Sequence, residues 1–354
     1  TDQYFAGNIK GNVGSQFLYK VSANLSPSTV DGNLPNVDGS TSPLADLSVK
    51  NKFPTSSYSA YSDYIPSDMF YLSGRLGYFT YDTETSGISA VARFQNSVGA
   101  PPLPQSDPRY TPPGYVSIPA ASFTGTDTDK WTREAASLDG NVFFTGAGTH
   151  AMKAGVQYEK LDNTVSTGEV GNLYRFYWGT AFQGVRGTYG AVAVRDFRTE
   201  GSAQSKNLGL YLQDSWSVLP NLTLNLGIRT EKEEVPNYGA ARDASLPKNA
   251  ISFGFNDKLA PRLGFSWDVM SDQKLKVYGS YGTYYDITKL EMPRGSFGAD
   301  QWIAHAYPLN TLDWASIASQ CVRVNNDIAQ NPCPSLGQHV PRDLRAPTDP
   351  PTAI

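Results

Sequence analysis

The stretch NLGLYLQDSWSVLPNLTLNLGIRTE, residues 207–231, limits the fold of this chain more than any other. Its first half alternates Leu208, Leu210, Leu212, Asp214 and Trp216 with Asn207, Gly209, Tyr211, Gln213 and Ser215. Its second half alternates Leu222, Leu224, Leu226 and Ile228 with Asn221, Thr223, Asn225, Gly227 and Arg229. Successive side chains of a strand point to opposite faces, so this hairpin has one leucine face and one small, polar or charged face. Each leucine contributes about 1.5–3 kcal/mol when fully removed from water. The opposing row cannot enter a dry core unless every polar group finds a partner, so water lies on that side. A soluble sandwich turns the leucines inward and the polar row to bulk solvent. A membrane barrel turns the leucines to lipid and the polar row to a wet lumen.

The same period recurs along the chain in about twelve segments of ten or more residues, the length a tilted strand needs to cross a bilayer. They fall at 2–12, 16–27, 68–82, 87–97, 131–145, 150–162, 171–183, 188–200, 204–217, 221–234, 258–268 and 275–285. Short turns near 13–15, 83–86, 146–149, 218–220 and 270–273 take turns with longer links. Three links, 28–67, 98–130 and 235–255, are long and rich in Pro, Gly, Ser, Asp and Tyr. Compact soluble domains seldom carry several loops of that size. Outer-membrane barrels do, with short turns on the periplasmic side and long loops outside. The pattern therefore predicts an all-β chain, an antiparallel up-and-down transmembrane β-barrel with long extracellular loops. Residues 1–300 are expected to supply strands and loops, and 301–354 an extracellular, loop-like C-terminal segment. The membrane-facing row comprises Leu210, Leu212, Leu222, Leu224, Leu226, Ile228, Leu263 and Phe265. Trp216 and Trp267 lie beside short turns, where a periplasmic aromatic girdle belongs, and Tyr281 and Tyr285 lie at the opposite strand end, where an outer girdle belongs.

Composition excludes several functions. A net charge of −4 with 18% charged residues offers no basic footprint for nucleic acid. No run of about 18 apolar residues encodes a transmembrane helix, which does not argue against a barrel. Thr1 opens directly into TDQYFAGNIKGNVG without a signal peptide, so the expectation is a chain that begins internally, as a mature piece or fragment. The only cysteines, Cys321 and Cys333, would close a short disulfide loop in an oxidising compartment.

No catalytic constellation stands out, and the reading is a non-enzyme with no cofactor and no metal. His150, His305 and His339 lack metal-ligand spacing, and His150 reads as a solvated turn residue. DGNLPNVDG at 31–39 departs from the Ca²⁺-loop pattern and reads as a turn. TEKEEVP at 230–236 puts Glu231, Glu233 and Glu234 at an outer strand end, a solvated rim or a cation site. Ligand recognition sits on loops held by a rigid scaffold. The candidates are Tyr58, Tyr61 and Tyr64 in YSAYSDYIPSDMFY and Tyr174, Tyr177 and Trp178 in LYRFYWGTAF. Such aromatics either stack on sugars or peptide side chains, or form the outer girdle, or pack loop against loop.

The hairpin NLGLYLQDSWSVLPNLTLNLGIRTEKEEVPNY, with LQDSW and NLTLNLGIR, resembles one of the TonB-dependent outer-membrane receptors. NDKLAPRLGFSWDVMSDQKLKVYGSYGTYYD, with APRLGFSWD and KVYGSYGTYYD, resembles the hairpin that follows it, and the set is similar to the Oar-like branch. The specific likeness covers about residues 204–288. It implies a barrel of about 22 strands closed by an internal plug. It also implies energy-coupled import of a large or scarce solute through TonB with ExbB and ExbD, in contact with outer-membrane lipid and lipopolysaccharide of a Gram-negative bacterium. Here about twelve strands, roughly half that number, appear without a TonB box, a plug or the N-terminal carboxypeptidase-regulatory-like domain that the Oar-like branch implies, so a fragment of a longer polypeptide is expected. A passive porin and a structural or adhesive surface protein are the alternatives: the first would lack an upstream plug, and the second would use its loops for intermolecular contacts.

Overall fold

The computed structural model describes residues 1–32, 48–88, 92–115, 124–321, 330–337 and 339–343. In chain order the strands are β1 (Phe5–Val13), β2 (Phe17–Asp31), β3 (Lys50–Ser67), β4 (Phe70–Tyr81), β5 (Glu84–Ser86), β6 (Arg93–Val98), β7 (Thr124–Thr145) and β8 (Thr149–Glu169). There follow β9 (Leu173–Trp178), β10 (Gly190–Leu219), β11 (Leu222–Pro236), β12 (Asn249–Phe253), β13 (Ala260–Asp268) and β14 (Lys276–Gly282). Helix α1 (Glu291–Ser296), β15 (Asp300–Leu309), helix α2 (Trp314–Ser319) and β16 (Val340–Asp343) complete the described elements. The main sheet runs in the order β1-β2-β3-β4-β7-β8-β10-β11-β13-β14, every neighbouring pair antiparallel. Short turns at 14–16, 68–69, 146–148, 220–221 and 269–275 alternate strictly with long connections, so all the short turns share one end of the sheet.

Register decides which residues share a face. Val13, Ile9 and Phe5 of β1 stand beside Phe17, Val21 and Leu25 of β2, and these beside Tyr64, Ala60 and Ser56 of β3. The same row continues through Leu72 and Leu76 of β4, Ala136 and Leu138 of β7, Val156 and Tyr158 of β8, and Leu208, Leu210 and Leu212 of β10. It ends through Leu224, Leu226 and Ile228 of β11, Leu263 and Phe265 of β13, and Tyr281 of β14. That apolar row is the exposed one, with Leu212 at 46% and Leu263 at 50%. On the polar row Asp139 is at 3%, Asn207 at 5% and Glu233 at 0%, while Gln213, Asn225 and Arg262, nearer the short turns or the β14 edge, are open. A soluble protein reverses this arrangement, whereas hydrocarbon on the outside and a polar interior require it.

Several boundaries differ from those the sequence predicts. The 28–67 link contains β3, which pairs with β2 from Lys50 to Tyr64. Its outward row is Tyr, Ser and Ala rather than Leu, so period two is present but its apolar contrast is weak. The turn at 83–86 belongs to the long-connection end, and the short turn that keeps the up-down order is 68–69. Segments 188–200 and 204–217 are one strand, β10, of 30 residues. Segments 87–97 and 171–183 do not cross with the path strands; they supply β6 and β9, which pair in parallel with each other. The C-terminal segment is not loop-like where described, since β15 pairs with the upper part of β10, from Gly190 to Thr199.

At about 3.3 Å per residue β10 extends roughly 100 Å, so its upper part stands well beyond any hydrocarbon layer. There β6, β9, upper β10, β15, β16 and α2 form an outer assembly with a conventional core of Phe94, Tyr174, Phe176, Trp178, Val192, Val194, Tyr307, Leu309, Trp314 and Ile317. Cys321 and Cys333 are joined in a disulfide that ties the segment after α2 onto this core.

Candidate functional site on the inward-facing wall

The polar row of β7, β8, β10, β11 and β13 builds a continuous wall. Tyr211 stands opposite Gly155 on one side and Arg229 on the other, while Gly209 separates Gln157 from Glu231. Glycine at these two positions leaves the space that the neighbouring side chains occupy. A Cβ on Gly155 would collide with Asp139 Oδ1 and the Tyr211 ring, and one on Gly209 with the Arg229 guanidinium. The missing side chains let Tyr211 and Arg229 lie flat along the wall. Tyr211 donates its hydroxyl to Asp139, and Lys153 approaches both the Asp139 carboxylate at 3.9 Å and the Tyr211 ring at 5.7 Å. Arg229 donates from Nε to Glu231 Oε1 at 2.6 Å and from Nη1 to Gln157 Oε1 at 2.8 Å. Asn207 Nδ2 reaches the other Glu231 oxygen at 3.3 Å.

Towards the long-connection end the wall becomes drier. Glu233 is fully buried; it forms an ion pair with Lys258 and accepts the backbone N–H of Thr288 at 2.7 Å. Lys258 also donates to the Asp286 carbonyl at 3.2 Å and lies 4.9 Å from the Phe253 ring centre. Arg262 stands over Tyr284 at 4.5 Å and has no carboxylate within ion-pair distance among the described residues. A cavity of about 890 Å³ is lined on this side by Lys153, Gln157, Tyr211, Arg229, Arg262 and Tyr284. A second, of about 250 Å³, lies among Glu231, Lys258, Tyr285 and Asp286 and shares Arg229 and Arg262. Paired charges, tyrosines and amides suit recognition of a polar solute. No cluster of three or more metal-ligating side chains occurs among the described residues.

The structure redistributes the residues singled out from sequence. Leu210, Leu212, Leu226, Ile228, Leu263 and Phe265 are exposed on the outward row, with Leu222 and Leu224 half-buried on it. Trp216 and Trp267 lie near the short turns, Trp216 donating from its indole N–H to the Ala147 carbonyl at 3.0 Å. Tyr281 is on the outward row of β14, and Tyr285, beyond the end of that strand, is exposed and borders the smaller cavity. Tyr58, Tyr61 and Tyr64 are not on a loop: all three belong to β3, Tyr58 and Tyr64 on the outward row and Tyr61 on the opposite one. Tyr174 and Trp178 are 1% and 6% exposed in the core of the outer assembly, so neither is a platform for a ligand. Tyr177, on the other face of β9, is half-buried and stacks on Phe182 at 4.3 Å. Glu231 and Glu233 are no solvated rim, because their row points inward and their cationic partners sit beside them. His150 is not solvated either: its ring stacks between Phe144 and Trp216 and bonds to Asp214 at 2.7 Å. Most of DGNLPNVDG lies outside the described residues.

Sequence reasoning passed over Arg229, Lys258 and Arg262 as site residues. For Arg229 the signal was the inward parity it shares with Tyr211 and Glu231 in the β10–β11 hairpin, and for Arg262 its pairing with Gly227 on the same row; Lys258 lies just before β13 and carried no such signal.

Residues 13–353 match the family described as outer membrane beta barrel domain. Over 232 residues the chain is 27% identical to the TonB-dependent transporter Oar of Myxococcus xanthus, covering 59% of this chain and 21% of that protein. The chain thus spans about a fifth of the length of that curated relative. Among solved structures, the outer membrane transporter YddB of Escherichia coli is 13% identical with a TM-score of 0.47, covering 86% of this chain and 38% of that one. BauA, the ferric preacinetobactin receptor of Acinetobacter baumannii, is 15% identical with a TM-score of 0.42, covering 86% of this chain and 43% of that one.

Proposed function

This chain belongs to the outer membrane beta barrel domain family, placing it in the outer membrane of a Gram-negative cell, and from that membership we propose that it forms part of the wall of a TonB-dependent receptor. The receptor takes up a large or scarce solute without covalent chemistry on it. Recognition comes from the inward wall and the outer assembly, and the energy comes from the inner membrane through TonB with ExbB and ExbD. The observation that carries this reading is an exposed apolar row, Leu210, Leu212, Leu226, Ile228, Leu263 and Phe265, backed by polar residues that include the buried Asp139, Asn207, Glu231 and Glu233. The likeness to the transporter Oar supports the choice of an energised receptor. Among the described residues strands β1 and β14 each have one ladder partner in the main sheet. Hydrocarbon tolerates no open sheet edge, so in this reading further strands close the barrel beside them.

Two measurements on the full-length protein test the proposal. Spin labels at Leu224 and Asn225 in native membranes are expected to differ, the first relaxed by lipid-dissolved oxygen and the second by a water-soluble reagent reaching the lumen. The reverse assignment overturns the barrel. In planar bilayers the purified protein is expected to stay closed, whereas steady conductance without energisation would identify a passive pore instead.

A further inference from the structure

The inward row of β10 continues upward from Tyr211 and Asn207 to Arg195 with unbroken register against β8 and β15. On the same face the neighbouring strands bring two more arginines. Arg175 of β9 stands opposite Ala193, and Leu173 opposite Arg195, so Arg175 and Arg195 are diagonal neighbours above a floor of alanine. The parallel strand β6 sets Gln95 beside Arg175 and Arg93 beside Leu173. Glu169, at the end of β8, pairs with Arg195, and Arg93 donates from Nη1 to the adjoining Val170 carbonyl at 2.6 Å. Arg175 donates from Nε to the neutral amide of Gln95 at 3.3 Å and has no carboxylate within ion-pair distance among the described residues. Burial, and then the charge of Arg195, lower the proton affinity of Arg175. Arg195 Nε is buried without a hydrogen-bond partner.

Grouping guanidiniums away from water is costly unless anions answer them. Arg175 and Arg195 are half-buried and face one glutamate, which leaves both charge and donors unused. The planar fork of arginine matches carboxylate and phosphate oxygens two at a time. Tyr177 lies two residues from Arg175 on the same face, with its ring stacked on Phe182, and walls the patch on one side.

We propose that Arg175 and Arg195, backed by Arg93, form a binding site for an oxyanion carried by the solute, a carboxylate or a phosphate group, at the outer end of the inward wall. This rests on the receptor reading, since the patch lies on the face continuous with the lumen. The test is calorimetric titration of the full-length protein in detergent at constant ionic strength. Inorganic phosphate is one probe and acetate the other. One of the two is expected to bind saturably, and which one does so tells a phosphate-bearing solute from a carboxylate-bearing solute. Arg175→Gln is expected to weaken that binding by at least about tenfold, while Arg175→Lys retains part of it, keeping the charge and losing the fork. Unchanged near-ultraviolet dichroism of the outer assembly certifies that each variant is folded. Absence of saturable binding by either probe, or equal affinity in wild type and Arg175→Gln, overturns the site. Binding that persists while the bilayer measurement finds an open pore overturns the receptor and leaves the site standing.

Discussion

At the scale of single residues the inward wall depends on pairing charges that sit away from water. Glu233 is fully buried and Lys258 nearly so, and each holds the other together with one backbone partner. Removing one member leaves an uncompensated buried charge, which costs about 3–5 kcal/mol, whereas removing both is far milder. Lys258→Met is therefore expected to lower the unfolding midpoint of the detergent-solubilised protein strongly, and Lys258→Met with Glu233→Gln to recover most of the loss. Equal destabilisation by the single and double variants would show that the pair contributes little. A second residue-scale prediction concerns His339, whose ring stacks on His305 and Tyr307 and bonds to His305 Nδ1 through Nε2 at 2.7 Å. One ring donates and the other accepts, so a proton on the accepting ring destroys the bond. Burial holds the His339 imidazole below its usual range, so the folded state favours the neutral ring. An unfolded histidine titrates near 6.5, so the contact of β16 with β15 is fully stable above that pH and loses stability as the pH falls through it. The protection factor of the amides at 303–306, which removes the intrinsic pH dependence of exchange, is expected to fall as the pH drops from about 7.5 to 5.5 in the wild type, and His339→Gln to flatten that dependence. Neither pair was legible in the sequence. Lys258 lies 25 positions from Glu233, and His339 lies 34 from His305, so only the folded register brings them together.

At the scale of strands, legibility followed chemical contrast between the two faces. The β10–β11 hairpin could be read because leucine alternates with asparagine and glycine, and its register in the structure keeps those rows apart. β3 escaped because tyrosine and serine serve both rows. β10 was divided because its lower half exposes Leu210 and Leu212 while its upper half turns Val192 and Val194 into a core, so the buried face changes without any break in the backbone. The contrast itself is testable. Leu212→Arg puts a guanidinium on the outward row and is expected to cost about 2–4 kcal/mol near the bilayer midplane. Gln213→Arg, one residue on, faces the wall and is expected to change stability by less than about 1 kcal/mol. Reversible unfolding in lipid vesicles measures both. Equal penalties at the two positions would contradict the assigned faces.

At the scale of the whole molecule, two cores obey opposite rules. The main sheet exposes its apolar row and encloses polar groups, whereas the outer assembly buries Tyr174, Phe176 and Trp314 as a water-soluble domain does. The sequence showed the first through local period two. It could not show the second, whose members come from β6, β9, β10, β15 and α2 across more than two hundred positions and meet partly through a parallel pairing. Because the cores share only the continuous strand β10 as a path member, disturbing one should spare the other. The Cys321–Cys333 disulfide supplies the means: it spans 12 positions and both cysteines pack against the outer core. Closing a loop of that size restricts the unfolded chain by about 3 kcal/mol. Replacing both cysteines by serine is expected to remove most of that from the outer assembly alone. Hydrogen exchange would then rise at Tyr174–Trp178 and at Ala304–Leu309, while Leu208–Leu212 and Leu222–Ile228 stay protected. Loss of protection at all four stretches together would mean that the outer assembly and the membrane sheet unfold as one unit.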